Sequence, residues 1–261
     1  DRADSHKALK EALQAVGLDP KTHDLARLVN IISREKGRGI GVDGYLKRES
    51  EEASGYIGRV VAQVWPEYEK ILRRDGALDF DDLLLKAMDL LRDNPEVRKY
   101  YQNTWRYIHI DEYQDTNHVQ YKITKMLVGD NKNICVVGDI DQNIYSWRGA
   151  DIKIILDFEK DYPETEVVTL EENYRSTKNI LEAANTVIEK NQYRRKKNLF
   201  TGKPSGNKIG LYTAVDELGE ADYVASKAES LIKGGARPEE IAVLYRANFQ
   251  SRALEEAFMN K

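Results

Sequence analysis

The chain has 261 residues, of which 41% are hydrophobic and 32% charged, enough apolar material for a folded core and too much for a disordered chain. Its 44 acidic and 40 basic side chains leave a formal net charge of -4, which excludes attachment to nucleic acid by bulk charge but leaves room for a local basic groove. The single cysteine, Cys135, excludes an internal disulfide framework and fits a reducing, cytoplasmic setting; the four scattered histidines lack metal-ligand spacing; and no apolar run approaches the roughly 20 residues of a membrane span.

The first 75 or so residues read as helical. Ala8, Leu9, Ala12, Leu13 and Val16 recur at helical spacing before Gly17, and Leu25, Leu28, Val29 and Ile32 repeat the pattern. Tyr56, Val60, Val61, Val64, Tyr68 and Leu72 predict a longer helix, with a bend at Pro66. Gly39-Ile40-Gly41-Val42-Asp43-Gly44 fits a dinucleotide-binding pattern, but helical sequence precedes it where a strand is required. The texture changes near Leu78. A helix is predicted from Asp79 to about Arg92, then strands at Trp105–Ile110, Asn133–Val137, Glu166–Leu170, Lys208–Thr213 and Glu240–Tyr245. Helical patterns lie between them at Asn117–Val128, Asp151–Phe158, Ser176–Lys190, Glu217–Lys233 and from Asn248 onward. This alternation predicts an α/β fold with a mainly parallel sheet, whose ligands sit beyond the carboxyl ends of the strands. Asn191–Asn207, with Arg194, Arg195, Lys196 and Lys197 in a row, reads as a basic linker or a phosphate-contacting loop.

Three loops at predicted strand ends carry chemistry. After the first come Asp111 and Glu112. Adjacent carboxylates at that edge suit a Mg²⁺-nucleotide site, one holding the metal and the other orienting and deprotonating water; an isolated Asp-Glu pair is more often a solvated turn. After the second come Gln142, Tyr145, Trp147 and Arg148. The glutamine can hydrogen-bond a phosphate oxygen or a water, and the aromatics can stack on bases, unless Trp147 packs under the sheet instead. After the third come Tyr174 and Arg175, ahead of Ser176 and Thr177, either of which can cap the next helix. Arg175 is placed to reach a phosphate, or to pair with Glu171 or Glu172.

Together the stretches Asp111-Glu112-Tyr113-Gln114-Asp115-Thr116-Asn117, Gly138 to Ala150 and Glu172-Asn173-Tyr174-Arg175-Ser176-Thr177 resemble the superfamily 1 DNA helicases of the UvrD/Rep/PcrA type. Leu78-Asp79-Phe80-Asp81-Asp82-Leu83 and Leu244 to Arg252 also look like family segments, and the matches are collinear from about residue 78 to the end. The resemblance implies RecA-like parallel-sheet motor domains, incomplete here, with an all-helical accessory domain: 1–75 accessory, 76–168 the later part of the first motor domain, 169–261 the earlier part of the second. It implies ATP and Mg²⁺ as cofactors, Asp111 on the metal, Glu112 as the water-activating base, Gln142 as γ-phosphate sensor, Arg175 as arginine finger and Tyr174 against adenine. Trp147, Tyr145 and Phe80 would line the single-strand track, with Arg246 approaching the strand.

One departure from the family stands out. The chain has no Gly-x-x-x-x-Gly-Lys-Ser/Thr phosphate loop, and Gly202-Lys203 is followed by Pro204. The expectation is an internal piece of a monomeric, ATP-dependent, 3′ to 5′ helicase acting on single-stranded DNA and strand junctions, with repair or replication proteins as partners and no membrane. By itself the piece should turn over ATP poorly. The alternatives are a non-catalytic single-strand or protein binding module, and the helicase-like part of a recombination nuclease.

Overall fold

The computed structural model describes residues 1–51, 55–191 and 197–261. They form two compact units, Asp1–Glu171 with Ile188–Asn198, and Glu172–Val187 with Leu199–Lys261.

The first unit opens with four helices: α1 (Arg2–Ala15), α2 (Leu25–Gly37), α3 (Val42–Glu51) and α4 (Tyr56–Arg74). The apolar residues read at helical spacing do form one stripe per helix. Leu9 and Leu13 of α1, Leu28 and Ile32 of α2, Tyr45 of α3 and Val61, Val64 and Trp65 of α4 make a single core. Pro66 sits inside α4 without ending it. Helix α3 was hidden in the sequence by the glycines around it, and it settles the Gly-x-Gly-x-x-Gly match: helix α2 precedes the glycines, so no strand-to-helix phosphate turn exists there. Helices α5 (Phe80–Asp93), α6 (Pro95–Thr104) and α7 (His118–Val128) follow, and α5 packs against α2, α6 and α7.

Two short parallel strands, β1 (Ile108–Ile110) and β2 (Ile134–Val136), pair in register. Because strand side chains alternate, Ile110, Ile134 and Val136 pack with Tyr113, Ile154 and Phe158 on one face, the last two from the short helices α8 (Lys153–Leu156) and α9 (Phe158–Asp161). His109 and Cys135 point to the other, exposed face.

The second unit holds α10 (Lys178–Ile188), α11 (Glu217–Lys233) and α12 (Ser251–Met259). Ala221, Ala225 and Ala228 bury the small-residue face of α11, and Tyr223 stacks on Tyr212 with ring centroids 3.7 Å apart.

The remaining three expected strands are not strands. Among the described residues, 166–170, 208–213 and 240–245 carry no ladder hydrogen bonds, and a strand is stable only where a neighbour takes its N–H and C=O groups. Val168, Leu170, Leu211 and Leu244 are consequently exposed, Leu211 at 93%. The fold observed is mostly helical with a two-strand parallel sheet, and no described helix is long and apolar enough to cross a membrane.

Two buried groups make the first unit sensitive to alkali. Burial alone would lower the Lys36 ammonium, but Asp79, Glu69 and Asp82 outweigh it and hold it above the ordinary lysine value. Burial pushes the Tyr68 phenol up as well. A group raised on folding contributes stability that is complete below its unfolded pKa and lost as pH climbs through the folded one. Melting temperature should therefore be flat up to about pH 10 and fall above it. Tyr68→Phe should flatten that limb without abolishing it, because Tyr113 is raised by burial too. A melting temperature that held steady through the alkaline range would refute this account.

Candidate nucleotide and nucleic-acid site

Both strands deliver their carboxyl ends to one edge. There the Val137 N–H donates to the Ile110 carbonyl at 2.8 Å, and the Tyr113 N–H donates to the Val137 carbonyl at 2.9 Å, which keeps the two departing loops side by side. Glu112 leaves β1 with φ 51° and ψ 41°, a left-handed conformation that costs a non-glycine residue about 1–2 kcal/mol. The strain turns the chain sharply: the Glu112 N–H folds back onto Asp111 Oδ1 at 2.9 Å, while both side chains stay exposed.

Gln114 joins the two loops. It is 1% exposed; its Nε2 donates to Glu112 Oε2 at 2.7 Å, and its Oε1 accepts the Asp139 N–H at 3.0 Å. Asn143 Nδ2 donates to the Gln114 carbonyl at 2.5 Å. Asp139 in turn accepts from the Asp141 N–H at 3.0 Å and from Gln142 Nε2 at 2.8 Å, and pairs with Lys197. Burial alone would raise Asp139, but the Lys197 ammonium and the Gln142 amide hold its carboxyl below the usual range. Lys197 also lies 3.4 Å from Asp141, so this one residue of the expected basic run faces carboxylates; Arg194, Arg195 and Lys196 lie outside the described residues.

The far end of the second loop is pinned as well. The Asp151 N–H donates to the Thr116 carbonyl at 3.1 Å, and Asn117 bridges Ala150. Between the anchors, Trp147 is 67% exposed, which overturns the reading of it as a core residue. Tyr145 and Trp147 lie 6.3 Å apart, with the Arg148 guanidinium 5.3 Å from the first ring and 4.7 Å from the second. This is a cationic aromatic surface open to solvent. Phe80, the first residue of α5, is exposed too.

In the second unit Asn173 organises the corresponding turn. Its Oδ1 accepts the N–H of Arg175 at 3.0 Å and of Ser176 at 2.7 Å, and its own N–H donates to Phe200 at 2.7 Å. Asn173 thus closes the turn ahead of α10, while the first N–H groups of the helix itself, where a cap from Ser176 or Thr177 was expected, donate to backbone carbonyls: Lys178 to Pro204 and Asn179 to Ser205, both at 3.3 Å. The Tyr174 hydroxyl donates to Glu172 at 2.6 Å, so tyrosine and not Arg175 takes that carboxylate. Arg175 and Arg246 are exposed.

The N-terminal domain of UvrD/REP helicases matches residues 1–163, and the UvrD-like helicase C-terminal domain matches residues 168–261. The chain belongs to the UvrD/PcrA-type family of superfamily 1 helicases. It is 45% identical over 262 residues to the ATP-dependent DNA helicases PcrA of Staphylococcus epidermidis and Staphylococcus aureus, an alignment covering 99% of this chain and 35% of each relative. The chain thus spans about 35% of the length of these relatives.

In the first loop of this UvrD/PcrA-type chain Asp111 and Glu112 offer exposed carboxylates of the kind a hard cation takes, but among the described residues no three His, Cys, Asp or Glu side chains gather into a complete metal site. The sequence holds no Gly-x-x-x-x-Gly-Lys-Ser/Thr cradle for a triphosphate. Gln114 and Asn173 had no local signal that distinguished them in the sequence; only the fold shows what their amides join.

Gly138 has its own reason. A Cβ there would meet Gln114 Oε1 at 2.7 Å, Ile155 Cδ1 at 2.9 Å and the Tyr113 N at 3.2 Å. Gly138→Ala should cost about 1–3 kcal/mol by overpacking, and Gln114→Ala about 1–2 kcal/mol by leaving the half-buried Asp139 N–H without its partner. Thermal melting checks both, and an unchanged midpoint in either variant would show that the two loops are not clasped through this amide.

Proposed function

We propose that this chain carries the water-activating, phosphate-sensing and strand-gripping residues of an ATP-dependent DNA helicase that moves 3′ to 5′ on single-stranded DNA and opens the duplex ahead of it. The observation that carries the reading is the clasp at the sheet edge. Gln114 touches Glu112 with one end and the Gln142-bearing loop with the other, and that loop continues into the exposed Tyr145–Trp147 surface. A shift at the carboxylates therefore has a short mechanical path to the aromatic surface.

In this reading Asp111 would hold Mg²⁺, which would supply positive charge to offset the phosphates when ATP is bound. Glu112 orients a water and takes its proton. Gln142, whose amide rests on Asp139, turns to the γ-phosphate. Arg175 stabilises charge at the phosphate, a role worth about 10³–10⁵ in rate in related hydrolases, and Tyr174 lies against adenine. Trp147, Tyr145 and Phe80 stack on bases while Arg246 meets the strand. Residues 1–75 serve as a helical accessory domain ahead of two RecA-like motor segments, 76–168 and 169–261. Partners are single-stranded DNA and strand junctions, and the place of work is the cytoplasm. A second reading, a non-catalytic single-strand binder, draws on the same exposed aromatics together with the missing phosphate cradle; it predicts DNA affinity that nucleotide never changes.

Trp147→Ala should weaken binding of an oligothymidylate by about 1–3 kcal/mol, the usual effect of one stacked base, with little change in melting temperature because the ring is exposed. Lower stability with unaltered affinity would remove the stacking role. When this chain is joined to a phosphate loop, Glu112→Gln should abolish ATP turnover while nucleotide binding survives, since a carboxamide keeps the shape but cannot take the proton. Turnover close to the parent's would dismiss Glu112 as the base.

A further inference from the structure

Helix α2 buries a lysine as deeply as its leucines. Lys36 is 2% exposed, and its Nζ lies 2.7 Å from Glu69 on α4, 2.7 Å from Asp79 Oδ2 and 2.6 Å from Asp82 Oδ1. The Tyr68 hydroxyl adds a hydrogen bond to Asp79 at 3.1 Å.

The two aspartates are not an arbitrary pair. Asp79 is the N-cap of α5 and Asp82 its third residue, and they form a reciprocal box: the Asp82 N–H donates to Asp79 Oδ1 at 2.8 Å and the Asp79 N–H to Asp82 Oδ2 at 3.3 Å. Each carboxylate spends one oxygen on the backbone of the first turn and gives the other to Lys36. Of the two residues held between them, Phe80 and Asp81, Phe80 is 74% exposed. A capping box by itself satisfies the open N–H groups of the first turn but leaves that turn unattached to its neighbours; this one is tied to a cation fixed on α2, which also reaches Glu69 on α4.

A buried lysine is an expensive way to obtain stability alone, because well-packed apolar side chains do as well or better. What the ammonium adds is direction: two of its contacts hold the turn that presents Phe80, and the third anchors the same atom to Glu69 on α4. We propose that Lys36 is a positioning residue for single-strand contact, acting through the Asp79–Asp82 box to hold the Phe80 ring where a base stacks on it. The proposal rests on the reading of Phe80 as part of the DNA-contacting surface.

The test is a double-mutant cycle on the 261-residue chain, reading oligothymidylate affinity by fluorescence anisotropy and checking each variant's melting temperature. Lys36→Met alone strands three carboxylates, so the main variant is Lys36→Met with Asp82→Asn, which leaves the net charge of the cluster unchanged. Phe80→Ala should weaken binding by about 5- to 150-fold, the range for one stacked base. The Lys36 variant should weaken it by a comparable factor in the parent, and by less than about twofold once Phe80 is alanine, the mark of a residue that works only through its neighbour. If the paired variant melts below the assay temperature, Asp82→Asn alone replaces it, removing one of the two grips on the box, with a smaller loss that should again vanish with Phe80. Equal losses in both backgrounds, or no loss in the parent while Phe80→Ala weakens binding, would overturn the positioning role and leave the DNA surface intact. Unchanged affinity for Phe80→Ala itself would remove both.

Discussion

The register of β1 on β2 governs everything chemical in the first unit. Ile108, His109 and Ile110 sit opposite Ile134, Cys135 and Val136, so both chains leave the sheet at the same edge and at the same height. A slip of one residue would turn every side chain to the other face. It would take Ile110, Ile134 and Val136 off Tyr113 and Phe158, and separate the Asp111–Glu112 turn from the Asp139–Gln142 turn. Six residues of ladder would be a marginal structure by themselves. Here the ladder is backed by a small aromatic core and extended by loop hydrogen bonds: Tyr113 to Val137, Asp139 to Gln114, Asp151 to Thr116.

The helical part solves a different problem with a different means. Its core is ordinary amphipathic packing, but α2 also carries Glu35 and Lys36, both buried, which point to opposite partners. Glu35 meets Arg48 of α3 at 2.8 Å, with Arg38 at 3.4 Å, and Lys36 meets the acids of α4 and α5. Burial raises the Asp82 carboxyl against the pull of Lys36, since three acids crowd one cation. Such a cluster specifies one arrangement of helices more than it stabilises it.

What the sequence makes legible follows from range. Helices α1, α2, α4, α5, α7 and α11 announce themselves by spacing and caps, which are local. The three loops are legible because their residue types are unusual in combination, although only the first two leave observed strands, and Trp147 and Phe80 are exposed. Helix α3 was masked by its glycines, and α6 by its tyrosines, glutamine and asparagine. The runs at 166–170, 208–213 and 240–245 look like strands because Val, Ile, Tyr and Thr favour one, yet a strand is a relation between two segments and composition describes only one. Gln114, Lys36 and Asn173 escaped for a related reason. Each matters for what it joins, up to 46 residues away for Lys36 and Asp82.

Glu112 shows where folding and chemistry pull in opposite directions. Its left-handed backbone is a conformation that Gly or Asn adopts with much less strain. The residue best suited to the turn is therefore not the carboxylate that the proposed water-activating role calls for. A library selected for heat resistance alone would drift at this position toward Gly or Asn, gaining a relaxed turn and discarding the carboxylate. Under the role proposed for Glu112, the strain at this turn is the cost of keeping a carboxylate there.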